Sequence, residues 1–269
     1  MAKQKKAKHE ETAKEIEKEE EMVEEKEKIE EETIEVDEEV AKKLKEEVAK
    51  EKMEEVSEWI PKTRLGNEIV RGKYKTLEEV LASGEIILEP EIIDYLVPDL
   101  KQELVYIGGT PGKGGGIRRT PTKMTARMHK SGRRFKLSAV MVVGNEDGIV
   151  GVGRGVSNEH RIAIEKALQQ AKLNVIRVRR GCGSWECNCG GTHSIPFRTE
   201  GKVGSVRVVL FPTPTGVGIV AGDEAKKILR LAGIKDVWVK TFGMTSTRVN
   251  LTFAIFEALK NLSRTKGDV

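Results

Sequence analysis

Apolar and polar residues alternate with period two near the middle of the chain, over Arg133–Val143. The apolar positions of this alternation are Phe135, Leu137, Ala139, Met141 and Val143. A period of two is typical of a strand with one buried face. Asn145–Gly148 then supplies a turn, because Asp147-Gly148 tolerates the positive φ of a hairpin. The pattern predicts a hairpin whose second strand covers Ile149–Gly155.

Glycine and alanine mark the returning strand and the helix after it. Gly151, Gly153 and Gly155 weaken a strand, so we expect bulges there or the close approach of another backbone. Ser157 or Asn158 is a suitable N-cap for the helix that follows. One face of that helix carries Ile164, Ala167, Leu168 and Ala171. A further short strand is predicted over Val175–Val178. The region is predicted to form a small sheet with one helix on its back.

Weaker patterns on both sides predict further elements. Thr76 or Lys75 precedes a short helix that ends at Ser83-Gly84. Asp223 is a natural N-cap for a second helix, which runs to Leu231. The predicted elements are strands over Val203–Leu210 and Ile234–Thr241, and helices over Leu77–Leu81, Glu89–Tyr95, Asp223–Leu231 and Leu251–Leu262. The glycines of 216–222 lack the spacing of a nucleotide-binding loop, and we expect them to serve turns and packing.

Three blocks of the sequence resemble the family of small ribosomal subunit protein five, in the family's order. They are Arg133–Arg180, Thr213–Gly222 and Leu231–Val237, and Trp59–Pro61 and Glu91–Tyr95 resemble its archaeal and eukaryotic branch. The resemblance covers roughly Trp59 to Arg264. It implies an α+β fold of two small α/β domains, in which a β-sheet and helix domain similar to double-stranded-RNA-binding domains precedes a second β/α domain.

With this resemblance the chain divides into five parts. They are a Lys/Glu-rich extension (1–58), a helical packing extension (59–109), the double-stranded-RNA-binding-like domain with a basic entry loop (110–180), a Cys/His loop (181–198) and the C-terminal β/α domain (199–269). The first part has few aliphatic residues, so we expect disorder or one solvated helix. A coiled coil needs more sustained heptads than it offers.

Charge is distributed unevenly along the chain. Residues 1–60 contain 13 Lys and Arg against 23 Asp and Glu, and residues 61–269 contain 34 against 20, which gives −10 and +14. A portion at +14 suits a polyanionic partner such as RNA. The apolar runs are too short for a membrane span or a signal peptide, so we expect a cytoplasmic protein with no membrane contact.

The positive charge is concentrated in the window from Leu104 to Asn145, which has no acidic residue. Its cations, interspersed with glycines, are the candidate rRNA-binding residues: Lys113, Arg118, Arg119, Lys123, Arg127, Lys130, Arg133, Arg134 and Lys136. Charge of one sign over so long a window repels itself, which favours a bound polyanion over a merely solvated loop. By resemblance, 129–134 corresponds to the loop that enters the rRNA.

Three cysteines and a histidine lie within twelve residues. Cys182, Cys187, Cys189 and His193 could form a tetrahedral zinc site. Their spacing differs from the usual C-x2-C pairing, and reduced cysteines in a glycine-rich loop are the alternative. The motif of zinc deaminases is absent, so any zinc would be structural. The family itself requires no cofactor.

The sequence contains no nucleophile beside a base and no paired carboxylates, so nothing in it indicates an enzyme. The sequence favours a structural constituent of the small ribosomal subunit. The resemblance implies that the chain binds small-subunit rRNA and contacts ribosomal proteins four and eight, and that it does not form a homo-oligomer. It also implies a place in the ribosome near the mRNA entry channel and an influence on decoding accuracy. A free-standing double-stranded-RNA binder is the alternative, although the helix that begins near Glu159 lacks the basic cluster of such modules.

Overall fold

The computed structural model describes residues 59–112 and 114–263. The predicted disorder or lone helix of residues 1–58 lies outside the described residues, as does Lys113. In the described ranges the helices are α1 (Arg64–Val70), α2 (Leu77–Ser83), α3 (Glu91–Leu96), α4 (His160–Leu173), α5 (Asp223–Leu231) and α6 (Arg248–Leu262). The strands are β1 (Lys101–Val105), β2 (Gly108–Pro111), β3 (Ile117–Thr120), β4 (Thr122–His129), β5 (Gly132–Gly144), β6 (Ile149–Ser157), β7 (Val175–Arg177), β8 (Thr199–Val203), β9 (Val206–Pro212), β10 (Ile219–Val220) and β11 (Val237–Phe242). This α+β content confirms the predicted fold class.

The 13-residue strand β5 is the centre of a five-stranded antiparallel sheet. One edge of β5 pairs first with β4 over 132–139 and then with β1 over 140–144. Its other edge pairs with β6, which pairs in turn with β7. Strand β5 is therefore long enough to belong to the body of the protein at one end and to a protruding hairpin at the other.

Beyond Leu137, β5 is buried on both faces, and the prediction of a single buried face was wrong. Leu137, Ala139, Met141 and Val143 pack against α4 and the helices α1–α3. On the opposite face, Val140 and Val142 are fully buried in a second core with α5 and α6. The sheet separates two apolar cores, so a half-polar alternation survives only at the exposed end, where Phe135 is 44% exposed.

The predicted hairpin turn is confirmed, with Gly148 at positive φ as expected and Glu146 in place of Asp147. Glu146 and Gly148 adopt φ values of 58° and 95°. The Asn145 side chain accepts hydrogen bonds from the backbone N–H groups of Asp147 and Ile149. An Asx-type turn thus fixes the β5–β6 register.

The glycines of β6 allow the backbone of α4 to lie directly on the sheet. A Cβ at Gly153 would lie 2.2 Å from the Ala171 nitrogen, and one at Gly155 would lie 2.1 Å from the Ala163 oxygen. The facing residues Ala163, Ala167 and Ala171 are fully buried. The expectation of a close backbone approach is confirmed. The predicted cap at Ser157 or Asn158 was wrong, because the helix starts later, with Glu159 at the N-cap and no side-chain capping bond.

The second sheet has the order β10-β11-β9-β8, with β10 and β11 parallel and the other pairs antiparallel. Its inner face packs on α6, where Gly201 would place a Cβ 2.1 Å from the Ala254 oxygen. Helix α5 begins at Asp223 with Gly222 at the N-cap, one residue before the predicted cap. Strand β8 was not predicted, because Thr199–Val203 has too few apolar residues to show a clear alternation.

The helices α1–α3 complete the core on the α4 side of the five-stranded sheet. Thr76 caps α2 and Gly84 ends it at a φ of 73°, as predicted. Glu89 accepts hydrogen bonds from the Trp59 indole and from the backbone N–H groups of Lys62 and Thr63. Burial would raise the pKa of Glu89, but these hydrogen bonds outweigh it and lower that pKa. Among the described helices, none is both long and apolar enough to cross a membrane.

Candidate nucleic-acid interface and metal centre

Residues 122–139 of the basic window fold as a β-hairpin. Strands β4 and β5 pair from Thr122↔Ala139 to His129↔Gly132, so Lys130 and Ser131 form the tip. The prediction of a basic loop before the first strand was therefore wrong. Met124, Ala126 and Met128 alternate with polar residues here, and this period of two could have predicted the strand. At the base, the Thr122 hydroxyl lies 2.7 Å from Nδ1 of His160, which links the hairpin to α4.

The two faces of the hairpin differ in chemistry. The cationic face carries Lys123, Thr125, Arg127 and His129 from β4, and Arg134 and Lys136 from β5. Arg127 lies directly opposite Arg134 in the register. Like charges in directly opposed positions destabilise a strand pair. No described carboxylate forms an ion pair with either arginine, so this repulsion has no counter-charge among the described residues.

The apolar face is formed by Met124, Ala126, Met128 and Phe135. Met124 and Met128 are 62% and 76% exposed, and the guanidinium of Arg133 lies 5.8 Å from the centre of the Phe135 ring. Exposed methionine and phenylalanine beside arginine form an adaptable surface on which bases can stack. The hairpin therefore offers charge on one side and stacking on the other.

Six of the nine candidate rRNA-binding residues are brought together by the hairpin: Lys123, Arg127, Lys130, Arg133, Arg134 and Lys136. Arg118 and Arg119 lie apart from them on β3, which pairs with β2 in a two-stranded sheet. Lys113 follows β2 in the sequence and is outside the described residues. Arg119 has a further effect on the interior, because it adds to burial in lowering the pKa of Arg248.

The cysteines and histidine of 181–198 converge on one point. The four candidate ligand atoms of Cys182, Cys187, Cys189 and His193 all lie within 4.8 Å of one another. The Cys187 sulfur is 3.7 Å from His193 Nε2. Tetrahedral zinc, with Zn–S near 2.3 Å and Zn–N near 2.0 Å, would hold such a pair about 3.5 Å apart. The cluster is therefore compatible with zinc, in spite of the unusual spacing of its cysteines.

Asp236 orients the histidine of this cluster. Its Oδ2 lies 2.8 Å from His193 Nδ1, and its Oδ1 accepts from the backbone N–H groups of Gly216 and Gly218. A carboxylate at Nδ1 favours the tautomer with its proton there, which leaves Nε2 free to bind a metal. Sequence spacing could not predict this contact, since 43 residues separate the two side chains.

The thiols of the cluster do not ionise alike. A hydrogen bond with Thr215 lowers the pKa of Cys187 to about 5. Burial, reinforced by the neighbouring thiols, raises the pKa of Cys182 to about 11. Three adjacent sulfurs cannot all carry negative charge without a compensating cation, and a divalent ion bound there would supply that charge.

Comparisons with known proteins agree with this architecture. The family model for the N-terminal domain of ribosomal protein S5 matches residues 121–179, and the model for its C-terminal domain matches residues 201–269. The chain is 50% identical to small ribosomal subunit protein uS5 of Nanoarchaeum equitans, over 78% of this chain and 90% of that protein. It is 51% identical to the uS5 protein of Pyrobaculum calidifontis, over 77% of this chain and 95% of that protein. With the Methanocaldococcus jannaschii protein of the same name it shares 49% identity over 78% of this chain and 90% of the relative.

Proposed function

Because the chain belongs to the ribosomal protein S5 family, a structural and non-enzymatic component of the small ribosomal subunit, we propose that it binds small-subunit rRNA through the β4–β5 hairpin. Family membership also implies a cytoplasmic location, in the ribosome. The proposed rRNA contacts are Lys113, Arg118, Arg119, Lys123, Arg127, Lys130, Arg133, Arg134 and Lys136. In this proposal residues 110–180 form the rRNA-binding domain, and 181–198 hold the metal. Residues 59–109 pack three helices against that domain and, unlike the purely helical extension predicted, add strand β1 to its sheet. Residues 199–269 form the second domain.

The observation that carries the proposal is the opposition of Arg127 and Arg134 on the cationic face. A strand pair that places two like charges opposite each other, with no described carboxylate in an ion pair with either, is stabilised by an external anion. RNA phosphates supply that anion at regular spacing and do not require sequence to be read. The apolar face would then pack against bases or ribose.

Replacing both Arg127 and Arg134 by Ala is expected to lower the salt dependence of rRNA binding by about two units of log K per log salt, one for each phosphate that is no longer neutralised. Binding of the purified chain to a small-subunit rRNA transcript, measured from low to high salt, checks this. Arg161→Ala with Lys166→Ala removes the same charge from α4, where a free-standing double-stranded-RNA module would make contacts. That control should retain the full slope. A slope that falls in the α4 variant and not in the hairpin variant would favour the free-standing module.

We propose, from the family, that the assembled protein contacts ribosomal proteins four and eight and lies near the mRNA entry channel, where it contributes to decoding accuracy. The basic hairpin supports a position among RNA strands. Migration of the tagged protein with the small subunit through a high-salt sucrose gradient, followed by crosslinking, would identify its neighbours. Migration at the top of the gradient would contradict the ribosomal assignment.

We also propose that Cys182, Cys187, Cys189 and His193 hold one structural zinc ion. The convergence of the four ligand atoms and the Asp236 contact to His193 Nδ1 support it. The chain purified under reducing conditions is expected to contain one zinc per molecule by elemental analysis, and a variant with all three cysteines replaced by Ser is expected to contain none. Three freely titrating thiols in metal-free native protein would contradict the proposal.

A further inference from the structure

The outer face of the β10-β11-β9-β8 sheet carries aromatic and cationic residues around Val209, which they leave buried. The inner face of this sheet packs on α6, so alternate residues of each strand point the other way. In the register, Phe211 lies opposite Trp238, and Arg207 lies opposite both Phe242 and Lys202. Trp238 is 54% exposed and Phe242 is 36% exposed. Large rings on an open sheet face are unusual unless something binds there.

Cations lie over or beside these rings. The Arg198 guanidinium lies 5.1 Å from the centre of the Phe211 ring, and that of Arg207 lies 4.8 Å from the centre of Phe242. The Lys240 ammonium lies 5.5 Å from Phe242, on the same strand face as Trp238. Protein interfaces concentrate apolar residues at the centre and keep charge at the rim. Here the positive charge is interleaved with the aromatic rings, as nucleic-acid-binding sheets require.

The face has one carboxylate to set against these cations. Glu200 accepts a hydrogen bond from Arg198 at 2.7 Å, which leaves Lys202, Arg207 and Lys240 without a described ion-pair partner. Trp238 and Phe242 are four residues apart on β11, about 13 Å along the strand. Two rings at that separation can each stack on a different base of an extended RNA single strand. A duplex keeps its bases stacked inside and could not use them.

We propose that this outer face is a second RNA-binding surface, which takes unpaired nucleotides by stacking their bases on Trp238 and Phe242. The inference rests on the proposed function only in taking RNA as the partner of this chain. It involves a different domain from the hairpin, and neither Trp238 nor Phe242 belongs to the proposed hairpin contacts. The two can therefore fail separately.

The test uses the full chain and a fluorescein-labelled 12-nucleotide oligouridine, with binding followed by anisotropy. Trp238→Ala is expected to weaken binding about 5- to 150-fold, the range for loss of one stacked base. Trp238→Phe keeps a ring and is expected to restore most of the affinity. Val220→Ala is the matched control, because Val220 is an exposed outer-face neighbour of Trp238 that has no ring.

The variants also separate this proposal from the hairpin. Trp238→Ala is expected to retain the salt slope for the rRNA transcript, whereas the Arg127 and Arg134 double variant is expected to retain oligouridine binding. Oligouridine affinity that is unchanged in Trp238→Ala, or equally reduced in Val220→Ala, would overturn the proposal. It would also be overturned if Trp238→Ala left oligouridine binding intact and abolished capture of a purified small-subunit protein, since the face would then be a protein interface.

Discussion

Replacing His193 by Ala is expected to abolish stoichiometric zinc binding and to lower the free energy of unfolding by about 1–3 kcal/mol, the cost of leaving the Asp236 carboxylate without its hydrogen-bond partner. The side chains of His193 and Asp236 are 10% and 8% exposed, so the variant leaves a carboxylate inside the protein without its imidazole. It also removes one of the four candidate metal ligands. Denaturant unfolding of zinc-loaded chains, with metal content measured on the same samples, checks both effects.

Asp236→Asn is the matched variant for the metal, because it keeps all four ligands and alters only the group that orients His193. It is expected to retain zinc with an affinity about 10- to 100-fold lower, as for other contacts that orient metal ligands. A chelator should lower the melting temperature of the unsubstituted chain and leave that of His193→Ala unchanged. Full zinc affinity in His193→Ala, or no chelator effect on the unsubstituted chain, would contradict a site made by these four residues.

The parts of this site that can be predicted from the sequence are those whose residues lie close together along the chain. Cys182, Cys187, Cys189 and His193 are close in sequence, so their composition alone indicated a metal site. Their spacing argued against zinc, because the usual C-x2-C pairing places both cysteines on one short, regular turn. In the structure the segment is instead anchored to the second domain, where the His193 carbonyl accepts from the backbone N–H groups of Lys235 and Asp236. Such contacts depend on the tertiary fold.

The same limit explains the errors about β5 and the basic window. Leu137–Val143 was predicted correctly as a strand because local alternation reports one buried face. Burial of Val140 and Val142 on the other face depends on α5 and α6, about 80 or more residues further along the chain. In the window, the density of positive charge obscures the alternation of Met124, Ala126 and Met128. The outer aromatic face was missed because its rings come from two strands and meet only through their register.

Gly153→Ala is expected to destabilise the chain by about 3 kcal/mol, near the upper end of the range for overpacked cores. The added Cβ would lie 2.2 Å from the Ala171 nitrogen and 2.3 Å from the Ala167 oxygen. Both atoms belong to the backbone of α4, so no side chain can rotate to make room, and the helix must move away from the sheet. Thermal unfolding of the full chain should show a midpoint lower by about 6–12 °C for a domain of this size.

Gly116→Ala is the matched control, because a Cβ there would meet no described atom within 4 Å. It is expected to change stability by less than about 1 kcal/mol, and a small gain would reflect the less flexible unfolded chain. Gly201→Ala should behave like Gly153→Ala, since its Cβ would approach the backbone of α6 at the Ala254 oxygen and the Ala258 nitrogen. If all three variants unfolded at the same midpoint, the helices would lie farther from their sheets than the glycines allow. If Gly153 and Gly201 alone are sensitive, contact between helix and strand backbones fixes the helix on each sheet. Alanine in both partners would break that contact, which is why glycine is needed on the strand.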